Sequence, residues 1–259
     1  SGFMTDEDDG GRAAATVVIV HDRSDGLPEI LMMERASTMA FAAGALVFPG
    51  GGVDESDHAL AARIDHGLAQ DEAAARIAGI RETIEESGLS IGLSDTVDAA
   101  MALRLRDGLH DGRSLEAMLD ALGLTLALDA LTPFARWHPK PFEMARRVYD
   151  TRFYLARAPQ GQRATVDTTE NVRLFWSSAA GVLARCDAGD GLIIFPTRRN
   201  LERLAQFASH AEMVADAIAY PVEKVRPWFE ERDGEDHLCI PGHLGYPVTS
   251  EPMRSVRRA

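Results

Sequence analysis

The chain is poor in cysteine: Cys186 and Cys239 are the only two in 259 residues. Two cannot build the disulfide framework of a small secreted domain, and neither has ligand-like neighbours. Both are expected to be ordinary thiols in a reducing cytosol. No run approaches the roughly 18 apolar residues of a membrane span. The opening SGFMTDEDDGG is acidic and polar, without a secretory signal, and residues 1–13 are expected to form a disordered segment. A cytoplasmic protein with no membrane partner follows as the expectation. Positive charge is also scarce, with Lys+Arg 27 against Asp+Glu 40 and a net charge of −13. That balance argues against nonspecific nucleic-acid binding, which needs a basic face. The eight histidines show no HExxH or paired metal spacing, and the GxSxG match at 88–92 follows a predicted helix rather than a strand, so it is no nucleophile elbow. Zinc-hydrolase and serine-hydrolase readings are therefore disfavoured.

What the chain does have is a crowd of carboxylates in Arg81-Glu82-Thr83-Ile84-Glu85-Glu86-Ser87-Gly88-Leu89. On a helix, Glu82 neighbours both Glu85 and Glu86, and like charges so placed repel. Glu-rich faces usually only solvate a helix, but three together call for a neutralising cation. Oxygen-only ligands suit a hard ion, Mg²⁺ or Mn²⁺, rather than Zn²⁺. Ile77, Ile80 and Ile84 form an apolar stripe roughly opposite, with Ala73 and Ala74 behind it. The helix is predicted from about Asp71 to Ser87, with Gly88 as the left-handed residue after its end.

Upstream, Leu46-Val47-Phe48-Pro49-Gly50-Gly51-Gly52 reads as an apolar strand running into a glycine turn. Glycines there allow close approach to a ligand, and exposed carbonyls can join a metal shell. Joined to R-E-x-x-E-E-x-G-Leu on the next helix, the segment resembles the Nudix box. The usual box places one more Glu eight residues before the Arg, where this chain has Ala73. Glu72 is the neighbouring substitute, and the loop from Asp54 to Gln70 is longer than the usual box. A long insertion with that Glu missing is similar to the coenzyme A and peroxisomal acyl-CoA diphosphatase branch. The segment LMMERASTMAFAAGALVFPGG supports the placement, with Gly44 on the expected glycine and Ala40 where relatives carry Arg.

The resemblance implies an α+β Nudix fold: an α/β/α sandwich with a mixed sheet, in one domain from 14 to 259. It implies metal-dependent cleavage of a pyrophosphate bond in a nucleoside diphosphate derivative. Coenzyme A or acyl-CoA would give adenosine 3′,5′-bisphosphate and (acyl-)phosphopantetheine. The alternatives are ADP-ribose, NADH or a dinucleoside polyphosphate, or a catalytically silent nucleotide-binding module. A homodimer is implied as well. The metal ligands would be Glu82, Glu85 and Glu86, with a Gly50 or Gly51 carbonyl completing one shell, and Arg81 orienting a catalytic Glu. An acidic protein repels an anionic substrate unless metal ions and local arginines reverse the field.

Strands are expected at 14–20, 29–34 and 45–48, then 132–137, 148–156 and 173–176. A helical insertion spans about 92–130, with a helix near 114–122 that Gly123 ends. A short helix is expected at 178–185, an extended piece at 192–195, and a long helix at 198–219. The last carries an apolar stripe of Leu201, Leu204, Ala205, Ala208, Ala211 and Val214 and belongs to a C-terminal helical extension of about 197–230. The Pro- and Gly-rich tail after Trp228 ends in Arg254, Arg257 and Arg258 on a solvated terminus. Outside the box, Glu170 in the polar loop 167–171 is the first candidate for a general base, and Glu143 the second. Arg35 and Arg147 are candidates to hold phosphate, since a guanidinium matches phosphate oxygens. Arg146 would face away from Arg147 on a strand. Trp137 and Phe41 are candidate base-stacking rings, although core packing is the commoner role.

Overall fold

The computed structural model describes residues 10–39, 42–139 and 148–256. The first strand, β1 (Arg12–His21), is rich in β-branched side chains, which suit a pleated, buried surface. Successive side chains point to opposite faces. Accordingly Ala15, Val17 and Ile19 join one apolar cluster, and Val18 and Val20 join another. A sheet buried on both faces needs a helical layer on each. The strand starts at Arg12, so residues 12 and 13 belong to the sheet and not to a disordered segment.

β2 (Glu29–Arg35) turns back along β1, and two short strands follow, β3 (Leu46–Val47) and β4 (Gly50–Gly52). β1 and β2 pair only at Val20–Ile30 and His21–Glu29. Beyond that point each takes another partner: β4 lies along Ala14–Thr16 of β1, and β3 along Met33–Glu34 of β2. The divergence places the glycine strand between the two long strands.

Helices α1 (Glu55–Arg63), α2 (Gln70–Ser87), α3 (Ala99–His110) and α4 (Leu115–Leu122) cover the first face. The expected loop from Asp54 to Gln70 is thus helical over α1. Ile77, Ile80 and Ile84 are fully buried in this cluster, as the stripe predicts. Strands β5 (Thr132–Trp137), β6 (Tyr149–Arg157) and β7 (Asn171–Ser177) complete most of a mixed sheet. Its order is β3-β2-β1-β6-β5, with β7 on the other edge of β2. β1 and β6 run parallel, whereas β2 and β7 run antiparallel.

The second face is covered by α5 (Ala179–Asp187), α6 (Phe195–Leu204) and α7 (His210–Ala219). Here the expected long helix is two helices, because Ser209 caps a new start by accepting from Glu212 N at 3.1 Å. The predicted stripe holds in part: Leu201 and Leu204 are buried and Val214 packs half-buried on the same cluster, but Ala205, Ala208 and Ala211 are exposed, and Met213 and Ala217 are buried instead. Phe195 opens α6 with Pro196 in its first turn, so the extended piece at 192–195 is shorter than expected. The extension also ends in strands. β8 (Lys224–Val225) adds to β5, and β9 (Trp228–Arg232), β10 (Glu235–Cys239) and β11 (Ser250–Pro252) form a second sheet before α8 (Met253–Val256). Arg254 pairs with Glu235, while Arg257 and Arg258 lie outside the described residues. Among the described residues no helix is long and apolar enough to cross a membrane.

Candidate active site

The isoleucine stripe seats α2 on the sheet so that its opposite side meets the glycine strand. Gly50 N donates to Glu86 Oε2 at 3.0 Å, and Gly52 O accepts from Arg81 Nη2 at 3.0 Å. A methyl group on Gly51 would collide with the Glu82 carboxylate and force that side chain to shift. The strand is thus held by β1 on one side and by three side chains of α2 on the other.

Arg81 is the hub of the cluster. It donates to Glu82 Oε1 at 2.9 Å and to Glu85 Oε2 at 3.5 Å. Its Nε and Nη2 form a fork onto Asp57, 2.9 Å to each oxygen. Burial opposes the charge on Arg81, but the Asp57 hydrogen bonds and the Glu82, Asp57 and Glu85 charges outweigh it and raise its pKa. The carboxylates respond the other way. Burial pushes Glu82 up to about 7, with the Glu85 and Glu170 charges adding to it and Arg81 opposing. Glu86 is raised well above the usual range by burial and then by the Glu82 charge. Burial also raises Glu85.

Asp57 is the residue that sequence reasoning missed. It is almost fully buried on α1, and its Oδ2 also accepts from Asp54 N at 2.8 Å. Counting back from Arg81 led to Ala73, which is wholly buried in the apolar cluster. Glu72 does not substitute, because it pairs with Arg76 and Arg152 and accepts from the Tyr154 hydroxyl. The available signal was the Asp54-x-x-Asp57 spacing of a helix start just after the glycines.

The remaining candidates divide clearly. Glu170 is exposed on its loop, its carbonyl accepts from Ala36 N at 2.8 Å, and its charge bears on both Glu82 and Glu86. Arg35, at the end of β2, carries a charge that offsets a small part of the rise at Glu86. Trp137 does not face the cluster: it is buried, donates to the Tyr246 hydroxyl at 3.0 Å and packs edge-on against Phe195. It is a core residue and no base-stacking ring. Ala40, Phe41, Glu143, Arg146 and Arg147 lie outside the described residues. Among the described residues no three His, Cys, Asp or Glu side chains already converge as a ready metal cluster, since Glu82 and Glu85 turn to Arg81 and Glu86 to Gly50.

No model of a known protein family matches the chain. Solved structures do. A NUDIX hydrolase from Alicyclobacillus acidocaldarius is 29% identical, with a TM-score of 0.70 over 82% of this chain and 97% of its own. The chain is therefore similar to the Nudix hydrolases in fold and, at 29% identity, in sequence. Its α+β architecture, with a mixed sheet between helices, is the Nudix fold. A MutT NUDIX hydrolase from Burkholderia pseudomallei is 18% identical over 74% of this chain and 96% of its own, with a TM-score of 0.43. The NUDIX domain of Shewanella oneidensis NrtR, solved with ADP ribose, is 14% identical over 67% and 77%, with a TM-score of 0.35. That likeness supports a pyrophosphohydrolase of the Nudix type.

Proposed function

We propose that this Nudix enzyme hydrolyses the pyrophosphate bond of coenzyme A or an acyl-CoA, with Mg²⁺ or Mn²⁺ held by Glu82, Glu85 and Glu86. The observation that carries the reading is the packing of the glycine strand against α2, with Gly50 bonded to Glu86, Gly51 against the Glu82 carboxylate and Gly52 bonded to Arg81, which also holds Glu85. Arg35 belongs to the coenzyme A-associated signature, and its charge acts on Glu86. The donor set fits a hard divalent ion: every side-chain donor is a carboxylate oxygen, and mutual repulsion plus burial leaves the group short of positive charge. Such an ion, when bound, polarises phosphoryl oxygens and acidifies water.

The chain's own groups do the rest. Arg81 fixes the Glu82 and Glu85 side chains through its bonds to both. Glu170 would accept the proton of the attacking water; its charge bears on the cluster from a flanking loop. Water adds to one phosphorus, the bridging P–O bond breaks, and the bridging oxygen leaves on the other phosphate. Arg35 and Arg147 hold phosphate oxygens. Against a catalytically silent module, Asp57 supplies Arg81 with the buried carboxylate partner that Ala73 cannot.

The test is purified protein with Mg²⁺ and, separately, coenzyme A, ADP-ribose, NADH and diadenosine polyphosphates, with products separated by chromatography. Adenosine 3′,5′-bisphosphate and phosphopantetheine from coenzyme A are expected. Turnover of the others with coenzyme A intact would remove the coenzyme A assignment. Light scattering tests the implied homodimer.

A further inference from the structure

The last four carbonyls of a helix have no partner within it, and in α2 each can be followed to its donor. Ile84 O accepts from Gly88 N at 2.9 Å, and Ser87 O from Thr165 N at 2.9 Å. Glu85 O meets Arg106 Nε at 3.1 Å and His110 Nε2 at 2.8 Å. Glu86 O accepts from Arg106 Nη2 at 3.2 Å. α2 carries no basic residue in its own last turn, although a cation suits that negative end and the carboxylates there aggravate it. The charge comes from Arg106 of α3 in the helical insertion, with His110 four residues on along the same face.

Arg106 does more than cap. It is 5% exposed, and its Nη1 donates to Thr165 Oγ1 at 2.5 Å. One guanidinium therefore ties the backbone of Glu85 and Glu86 to the loop that leads to Glu170. The Glu170 end of that loop is pinned to Ala36, next to Arg35. We propose that Arg106 is a positioning residue of the hydrolytic site, locking the last turn of α2 and the Glu170 loop in one geometry. The insertion is then part of the catalytic apparatus and not only a cover. This rests on the reading of Glu82, Glu85 and Glu86 as cation ligands.

Mn²⁺ binding, followed by electron paramagnetic resonance, separates the two claims. It is measured on the full chain and on Glu86→Gln, Arg106→Gln, Arg106→Lys and Thr165→Val, beside kcat and KM for coenzyme A, or for ADP-ribose if coenzyme A is not cleaved. Supporting groups around a metal site typically carry 10–100-fold effects, so Arg106→Gln is expected to weaken Mn²⁺ binding or lower kcat about 10-fold or more, with KM little changed. Arg106→Lys, which keeps the charge without the fork, should recover part of that loss. Thr165→Val should keep Mn²⁺ affinity and lower kcat. If the unmodified protein binds no Mn²⁺, the ligand reading and the positioning role both fall. If Glu86→Gln loses Mn²⁺ while Arg106→Gln melts lower but keeps wild-type affinity and kcat, only the positioning role falls. Should Arg106→Gln not fold, wild-type kcat in both Arg106→Lys and Thr165→Val overturns it equally.

Discussion

Replacing Asp57 with Asn should destabilise the protein far more than a loop position beyond the glycines would suggest. Asp57 is 1% exposed and takes both arms of the Arg81 fork at 2.9 Å. Removing one partner of a buried ion pair costs about 3–5 kcal/mol, because a buried charge is left uncompensated. Arg81 keeps Glu82, Glu85 and, at 3.4 Å, Asp54, so the lower end applies. For a chain of this size, about 3 kcal/mol corresponds to a fall of roughly 6–12 °C in Tm. Urea unfolding followed by tryptophan fluorescence reads it, since Trp137 is buried. A cycle with Arg81→Met should show a coupling of about 2 kcal/mol, within the range of contacting residues. A loss below about 0.5 kcal/mol, typical of surface positions, would refute the pairing.

Two further outcomes follow from the same geometry. Gly51→Ala pushes a methyl into the Glu82 carboxylate; displacing a site group by about 1 Å costs on the order of 100-fold in rate, so kcat should fall that far while circular dichroism is unchanged. Wild-type turnover in that variant would remove Gly51 from the site. Asp150 joins β6 to Arg136 of β5 and, at 3.6 Å, to Lys224 of β8. Burial works against its charge, but Arg136 and then Lys224 prevail and hold its pKa below the usual carboxylate value. A lowered native pKa gives stability that is present above the unfolded value and lost as pH falls through the native one. Asp150→Asn should therefore lower Tm at neutral pH and flatten its decline in acid; an unchanged acid limb would refute the contribution.

The parts legible in the sequence were those with a local period. The alternating strand at 14–20 and the isoleucine stripe of α2 each carry their own pattern, and the glutamates declared themselves by crowding. Asp57 was hidden because what matters is its distance from Arg81 in space. The insertion between glycines and helix broke the spacing by which it would be counted. The break between α6 and α7 was written as Ser209-x-x-Glu212, a helix-start pattern, but apolar residues continuing at helical intervals masked it. The hairpin of β9 and β10 turns on Asp233-Gly234, both at positive φ (52° and 79°). That pair is a strong two-residue turn signal, overlooked because the tail's prolines and glycines suggested irregular chain. Arg106 has no motif at all, and only the tertiary placement of α3 shows what it holds.

The central claim is that the α2 glutamates bind the divalent ion on which pyrophosphate hydrolysis depends. Turnover of the accepted substrate across a Mg²⁺ titration, in wild type and in Glu86→Gln, tests it most directly. The account predicts no turnover for wild type in excess chelator, recovery as Mg²⁺ is added, and little or none for Glu86→Gln at any Mg²⁺ concentration with its Tm retained. Full Mg²⁺-dependent activity in Glu86→Gln would contradict it.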